Sequence, residues 1–119
     1  MKPTVFAYVC APYFDNSRET GERLRRCSLA LFELGYIPIC PNLMFTRFLR
    51  ESIPQQRDAR RHMAQQILRR CRVLVVCGDA VTEEMESEIM LAKRLGIVST
   101  TLMGLQAISD FTQEDGQEE

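Results

Sequence analysis

Four short β-forming runs alternate with three stretches of helical periodicity along the chain. The runs cover residues 4–11, 36–40, 73–77 and 97–102. Between them, apolar residues recur three or four positions apart, which is the spacing of a helix with one buried face. This alternation predicts an α/β fold: a doubly wound parallel sheet of about four strands in the order 2-1-3-4, with helices on both faces.

The third apolar run is the most informative part of this pattern. Residues 73–77 are all apolar and are followed by Gly78 and Asp79. An unbroken run of this kind is typical of a strand buried on both faces of a parallel sheet. Thr82 then suits the N-cap of a helix, and Gly96 suits its C-terminal end. The segment predicts a central strand, a short loop and a helix.

Glu88 stands out within that predicted helix. On a helical wheel it falls on the same arc as Ile89, Ala92 and Leu95, the side that must pack against the sheet. A carboxylate on a buried stripe costs several kcal/mol unless it is paired or used. Two interpretations follow. Glu88 forms a salt bridge with one of the arginines, or it is a catalytic carboxylate near the carboxyl end of the sheet, where α/β folds bind ligands.

The loop after the first strand contains a second candidate feature. Pro12 ends the strand, and Asp15 or Asn16 is expected to cap the following helix. Tyr13 and Phe14 either pack in the ordinary way or clamp a flat ligand at the strand's carboxyl end. The loop has neither G-x-G-x-x-G nor a Walker motif, which argues against binding of a dinucleotide or a P-loop nucleotide.

The remaining segments complete one domain. Residues 36–40 include a proline and suit an edge strand. The apolar segment 43–49 is expected to form a short helix or lid, and Pro54 indicates the start of a new helix. The domain is predicted to span residues 1–112, followed by a disordered acidic tail at 113–119.

Composition narrows the chemistry that is available. The chain has 119 residues, 5 cysteines and 1 histidine. We expect reduced thiols and no metal site, because the cysteine count is odd and no C-x-x-C or suitably spaced histidine is present. No apolar run reaches the length of a membrane span and no signal-type segment is visible. These features predict a cytoplasmic protein without a membrane partner.

Charge is distributed unevenly along the chain. Residues 1–72 carry 13 Lys and Arg against 6 Asp and Glu, whereas residues 73–119 carry 2 against 10. Nearly all the basic residues are arginine, which favours bidentate contacts to phosphate or carboxylate. Nucleic acid is not an expected partner, because interleaved aromatic residues and recognition motifs are missing. The two halves could also pair with each other, within one subunit or between subunits.

Four motifs carry a resemblance to a known family. They are V-C-A-P-Y-F, I-P-I-C-P-N-L-M-F, L-R-R-C-R-V-L-V-V-C-G-D and M-E-S-E-I-M-L-A-K-R-L-G-I, and together they cover most of residues 4–102. In this order they resemble the nucleoside 2-deoxyribosyltransferase superfamily, especially its small bacterial and phage-type branch. The resemblance implies a flavodoxin-like fold and a glutamate that attacks the sugar C1′ of a deoxynucleoside.

The resemblance also implies roles for individual residues. Glu88 matches the family's nucleophile, and Asp79 lies where relatives carry an acidic residue near the base and sugar. By its position in the chain, Asp79 is also the candidate for the acid that protonates the leaving base. A helix N-terminus at Thr82, assisted by Arg18 or Arg23, could receive a 5′-phosphate. The residues expected to bind substrate are Pro12, Tyr13, Phe14, Arg23, Asn42, Gly78, Thr82 and Met85. Glu84 departs from the family, which commonly has glycine there, and this substitution narrows or repolarises the expected pocket.

The sequence therefore leads to two hypotheses about function. The first is an N-glycoside transferase or hydrolase acting on a nucleoside or nucleotide, with no metal or organic cofactor. The second is a non-catalytic nucleotide-sensing or protein-interaction module on the same fold, with Glu88 in a salt bridge. The apolar segment 43–49 and the uneven charge predict a homo-oligomer, either a dimer or a tetramer.

Overall fold

A computed structural model describes the backbone of residues 2–12 and 17–118, and the side chains of these residues as far as 110. In chain order the elements are β1 (Val5–Cys10), α1 (Arg18–Glu33), β2 (Tyr36–Ile39), α2 (Pro41–Phe45), α3 (Pro54–Leu68), β3 (Val73–Val76), α4 (Glu83–Arg94), β4 (Val98–Thr101) and α5 (Leu102–Glu118). The strands form one parallel sheet in the order β2-β1-β3-β4. The predicted α/β fold and its strand order are confirmed.

The alternation of side chains along β1 creates two separate cores. Ala7 and Val9 point to one face of the sheet, where they pack with α1 and α5. Tyr8 and Cys10 point to the other face, where they pack with α3 and α4. We call these the α1/α5 face and the α3/α4 face. Because a strand sends successive side chains to opposite faces, each residue of β1 belongs to only one core.

The helices follow the predicted periodicity, with a correction at one cap. In α1 the buried residues Leu24, Cys27 and Leu31 form the expected stripe. Its N-cap is Ser17, whose hydroxyl accepts a hydrogen bond from the Thr20 amide at 3.2 Å. The prediction that Asp15 or Asn16 caps this helix was wrong, because Ser17 offers the same oxygen one or two positions later. Residues 13–16 lie outside the described residues.

The prediction that all five cysteines are reduced was also wrong. A disulfide joins Cys27 of α1 to Cys77 at the end of β3, and the Cα atoms are 6.7 Å apart. The other three cysteines are buried thiols: Cys10, Cys40 and Cys71. The pairing arises because α1 packs across β3 on the α1/α5 face, a contact between residues 50 positions apart in the chain. An odd number of cysteines does not exclude one disulfide, because the other three cysteines can remain thiols.

The chain beyond β4 is more helical than the sequence predicted. The sequence predicted a disordered tail at 113–119, whereas α5 extends to Glu118, and residue 119 lies outside the described residues. Among the helices of the described residues, none has both the length and the apolar character needed to cross a membrane.

Candidate functional site

The N-terminus of α4 fixes the position of Glu88. Thr82 caps the helix, and its hydroxyl accepts a hydrogen bond from the Met85 amide at 3.2 Å. This cap sets the phase of the helix, so that Met85, Glu88 and Ala92 face the sheet. Met85 is fully buried and Glu88 is only 7% exposed. The helical wheel therefore placed Glu88 correctly on the buried side.

Two residues of β1 hold the Glu88 carboxylate. The Tyr8 hydroxyl donates a hydrogen bond to Oε2, and the Cys10 thiol lies 3.7 Å from Oε1. Both come from the α3/α4 face of β1, since they are two positions apart in the strand. Sequence reasoning missed both residues. The sequence did contain a signal for them, which we call the parity of β1: successive residues of a strand point to opposite faces. Every second residue from Tyr8 therefore points towards the helix that carries Glu88.

Burial perturbs the acid–base chemistry of this group. Desolvation raises the pKa of Glu88 to about 7, and the nearby charge of Glu84 acts in the same direction. Hydrogen bonds from Tyr8 and Cys10 oppose that rise. Burial, followed by the Glu88 charge, also raises the pKa of the Cys10 thiol far above its ordinary value. Near neutral pH, Glu88 is thus divided between its two protonation states, while Cys10 stays a protonated thiol.

A cavity of about 860 Å³ lies between α3 and α4 and reaches Glu88. Its wall consists of residues along α3, from α4 and its N-cap, and from the segment before α3: Glu51, Ser52, Arg57, Arg61, Ala64, Gln65, Thr82, Glu83, Glu84, Ser87, Glu88 and Leu91. Small-molecule sites typically have volumes of about 300–1,000 Å³. The cavity is large enough to hold a nucleoside-sized ligand against a buried carboxylate.

Arg60 is the buried arginine that could have formed the predicted salt bridge with Glu88, but it is paired with other carboxylates. Arg60 is buried, with its side chain 1% exposed. It donates to Glu51 at 2.7 and 2.8 Å and also forms an ion pair with Glu84. In the part of the chain that the structure describes, no Lys or Arg lies within ion-pair distance of Glu88. Glu84 is the residue of α4 that pairs with Arg60.

The structure brings together only part of the predicted site. Thr82 lines the same cavity as Glu88, and Met85 is buried beneath it. Asn42 is also buried, and its amide donates a hydrogen bond to the Pro12 carbonyl, so it ties α2 to the segment that follows β1. Asp79 is exposed in the loop between β3 and α4 and does not line the cavity. The predicted substrate contacts Tyr13 and Phe14 lie outside the described residues.

Arg23 and Gly78 belong to a different cavity. It has a volume of about 390 Å³ and lies at the carboxyl ends of β3 and β4, beside the Cys27–Cys77 disulfide. Gly78 has a φ of 120°, a conformation that residues with a Cβ rarely adopt. A Cβ placed there would lie 3.7 Å from Arg23 Nη1. These two predicted residues meet each other on the α1/α5 face, apart from Glu88.

The described residues include no group of three or more His, Cys, Asp or Glu side chains arranged to hold a metal ion. Together, the fold and the site define a doubly wound α/β protein with a small-molecule-sized cavity beside a buried, hydrogen-bonded glutamate. The chain belongs to the family described as Domain of unknown function (DUF7768), whose sequence profile matches residues 5–101. The match covers all the strands and both walls of the Glu88 cavity. A search of curated proteins finds no significant match.

Proposed function

We propose that this protein is an N-glycoside transferase or hydrolase that uses Glu88 to attack C1′ of a nucleoside or nucleotide. The observation that carries the proposal is the state of Glu88. It is a buried carboxylate without an ion pair among the described residues, held by Tyr8 and facing a cavity large enough for such a substrate. The sequence resemblance to the nucleoside 2-deoxyribosyltransferase superfamily supports the same residue in the same role.

The chemistry needs one nucleophile and one proton. The Glu88 carboxylate donates an electron pair to C1′, and the C1′–N bond breaks with its electrons going to the base. The base nitrogen takes a proton as it leaves. Water or an acceptor base then attacks C1′ and releases Glu88, so the configuration at C1′ is retained.

The leaving base needs a source for that proton. Asp79 was the sequence-based candidate, and two carboxyl groups in retaining enzymes lie about 5 Å apart. Because Asp79 is exposed and lies outside the cavity wall, we propose that solvent at the cavity mouth protonates the base. Replacing Asp79 with Asn then lowers the rate far less than replacing Glu88.

The protonation state of Glu88 gives the proposal a pH signature. Only the carboxylate form attacks C1′, and the pKa of Glu88 is about 7 because of burial. The rate is therefore expected to rise with pH through neutrality and to level off above it. A rate that falls over the same range would assign Glu88 to proton donation instead.

A substrate panel tests the proposal directly. Purified protein is incubated at pH 8 with deoxynucleosides and their monophosphates, with and without a second base, and free and exchanged bases are separated by chromatography. Glu88→Gln is expected to reduce any activity by roughly 1,000-fold or more, because the nucleophile is lost. Glu86→Gln is the matched control, since Glu86 is exposed on the same helix. Equal activity of the two variants would remove Glu88 from the mechanism.

One observation favours the alternative of a non-catalytic nucleotide-binding module. Both oxygens of Glu88 already have a protein neighbour, the Tyr8 hydroxyl and the Cys10 thiol. A carboxylate held in this way could serve recognition rather than attack. Calorimetric binding of a panel member without any release of base by the unmodified protein would select this alternative.

We also propose that the protein forms a homo-oligomer, a dimer or a tetramer. The segment 43–49 supports this, because Met44 and Phe48 leave apolar side chains exposed beside the buried Phe45. Light scattering at tens of micromolar is the test, since an interface with a Kd near 1 μM would be occupied there. A monomer at that concentration would contradict the proposal.

A further inference from the structure

The Cys27–Cys77 disulfide forms part of the wall of the smaller cavity. This cavity has a volume of about 390 Å³ and lies at the carboxyl ends of β3 and β4. Both cysteines line it, and each keeps 5% of its surface exposed. The three free thiols are buried and line neither of the two cavities. A molecule that enters the smaller cavity therefore meets a disulfide and no thiol among the described residues.

The charge of the smaller cavity favours anions. Arg23 and Arg26 lie three positions apart on α1 and both line it. Neither belongs to an ion pair in the described part of the chain. The described lining residues include no carboxylate, and Val76, Leu102 and Met103 supply an apolar wall. Because a cleft with one sign of charge and apolar walls concentrates ligands of the opposite sign, anions are expected to collect beside the disulfide.

Each cysteine of the disulfide has one of these arginines near it. The position that a Cβ at Gly78 would occupy is 3.7 Å from Arg23 Nη1, and Gly78 directly follows Cys77 in the chain. Arg26 directly precedes Cys27 on α1. In an exchange reaction, both the thiolate that attacks a disulfide and the thiolate that leaves it are anions. A neighbouring guanidinium stabilises a thiolate, so these arginines favour both partners of the exchange.

We propose that the smaller cavity admits a small thiol that carries carboxylate groups, and that this thiol reduces the Cys27–Cys77 disulfide in the folded protein. The carboxylates contact Arg23 and Arg26. The thiolate sulfur forms a bond to Sγ of one cysteine, and the electrons of the S–S bond pass to the other Sγ, which leaves as a thiolate and takes a proton from water. A second thiol molecule then attacks the mixed disulfide and releases the remaining cysteine as a thiol. The two thiol molecules leave as one disulfide, so they are oxidised while the protein is reduced.

Reduction kinetics with two thiols of different charge test this site. The unmodified protein is incubated at pH 8 with mercaptosuccinate, which carries two carboxylates, or with 2-mercaptoethanol, which carries none. Samples are quenched with acid and denatured, and the number of thiols is expected to rise from three to five. The preference for the anionic thiol is the ratio of the two rates. Added salt should lower this preference, because it screens the charge of the arginines.

The double variant Arg23→Gln, Arg26→Gln should lower the preference about tenfold and leave the rate with 2-mercaptoethanol nearly unchanged. The matched control is the double variant Arg69→Gln, Arg94→Gln. It removes the same charge from exposed positions at the ends of α3 and α4 and should keep the preference. An unchanged preference in the Arg23, Arg26 variant, or an equal loss in the control, would overturn the inference.

A pulse of iodoacetamide under native conditions shows whether the protein stays folded during the reaction. The buried thiols of Cys10, Cys40 and Cys71 should remain unlabelled while the disulfide is reduced. Labelling of these three at the rate of reduction would show that the disulfide opens only when the protein unfolds, and would also overturn the inference. Five thiols in the protein before any reductant is added would do the same, because no disulfide would then line the cavity.

Discussion

The two faces of the sheet differ in the chemistry that they carry. On the α3/α4 face, the cavity is lined by carboxylates and arginines and reaches the buried Glu88. On the α1/α5 face, the smaller cavity is lined by two arginines, apolar side chains and the Cys27–Cys77 pair, with no carboxylate among its described residues. The end of β3 and the loop after it line the smaller cavity, whereas α3 and α4 line the larger one. A site with a carboxyl group that titrates near neutral pH thus lies on one face of the sheet, and a covalent cross-link lies on the other.

Side-chain parity in β1 accounts for much of this difference. Tyr8 and Cys10, the polar residues of the strand, both point to the α3/α4 face, where they hold Glu88. Ala7 and Val9 point to the other face and contribute only apolar packing. A shift of one residue in the register of β1 would exchange these sets and leave Glu88 without donors. The location of the site therefore depends on which face of the sheet each β1 side chain points to, as well as on where Glu88 lies in the sequence.

The largest expected effect concerns the α1/α5 face. Reducing the Cys27–Cys77 disulfide frees a loop of 50 residues in the unfolded state. In the chain-entropy model this lowers the free energy of unfolding by roughly 4 kcal/mol. Urea denaturation with and without dithiothreitol measures the change. The double variant Cys27→Ser, Cys77→Ser is the control, and dithiothreitol should not affect it.

Thiol titration of the denatured, unreduced protein provides the counter-test. Three thiols are expected, and five would show that the pair is reduced in solution. In a reducing cytoplasm, the compartment predicted from the sequence, the cross-link would be open. The α1/α5 face would then be held by packing alone, without a covalent cross-link.

A slightly smaller effect is expected on the α3/α4 face from Arg60→Met. The substitution removes a buried cation and leaves Glu51 and Glu84 without their partner. Breaking a buried ion pair costs about 3–5 kcal/mol, and the lower value applies here because both carboxylates keep some contact with solvent. Arg26→Met is the control on the other face, where the side chain is exposed. Equal urea midpoints for the two variants would contradict a structural role for Arg60.

The sequence predicted the sheet and its strand order because apolar periodicity records burial directly. It also predicted that Glu88 is buried and that Thr82 caps its helix, since both follow from spacing within a single element. It failed wherever distant segments meet: Tyr8 lies 80 residues from Glu88, and the disulfide spans 50. The sequence also grouped Arg23 with Glu88, whereas Arg23 lies in α1 and lines the smaller cavity, because spacing along the chain does not reveal on which face of the sheet a helix packs.

The pH dependence of stability separates the faces further. The pKa of Glu88 rises from an ordinary value of 4.5 to about 7, chiefly through burial. The folded state therefore favours the protonated carboxyl, and this stabilisation is complete below pH 4.5 and is lost as pH rises through 7. The loss amounts to roughly 3 kcal/mol, and Glu88→Gln should not show it. Urea unfolding at pH 5 and pH 8 should thus favour the variant increasingly at the higher pH, whereas the exposed control Glu86→Gln should follow the unmodified protein.

The smallest of these effects is expected from Tyr8→Phe, and it tests whether β1 controls the carboxylate. The Tyr8 hydroxyl donates a hydrogen bond to Glu88 and lowers its pKa, opposing the effect of burial. Without the hydroxyl, the pKa of Glu88 should rise further above about 7, and the carboxylate should lose about 1.5 kcal/mol of stabilisation at pH 8. At pH 5 the cost should be smaller, because the carboxyl is then neutral in both proteins.

A carbon-detected NMR titration of the Glu88 carboxyl measures the pKa shift directly. Any glycosidic activity should move to higher pH with it. Tyr36→Phe is the matched control, since Tyr36 packs on the α1/α5 face. An unchanged titration of Glu88 in Tyr8→Phe would show that burial alone sets its chemistry, and that the parity of β1 has no part in it.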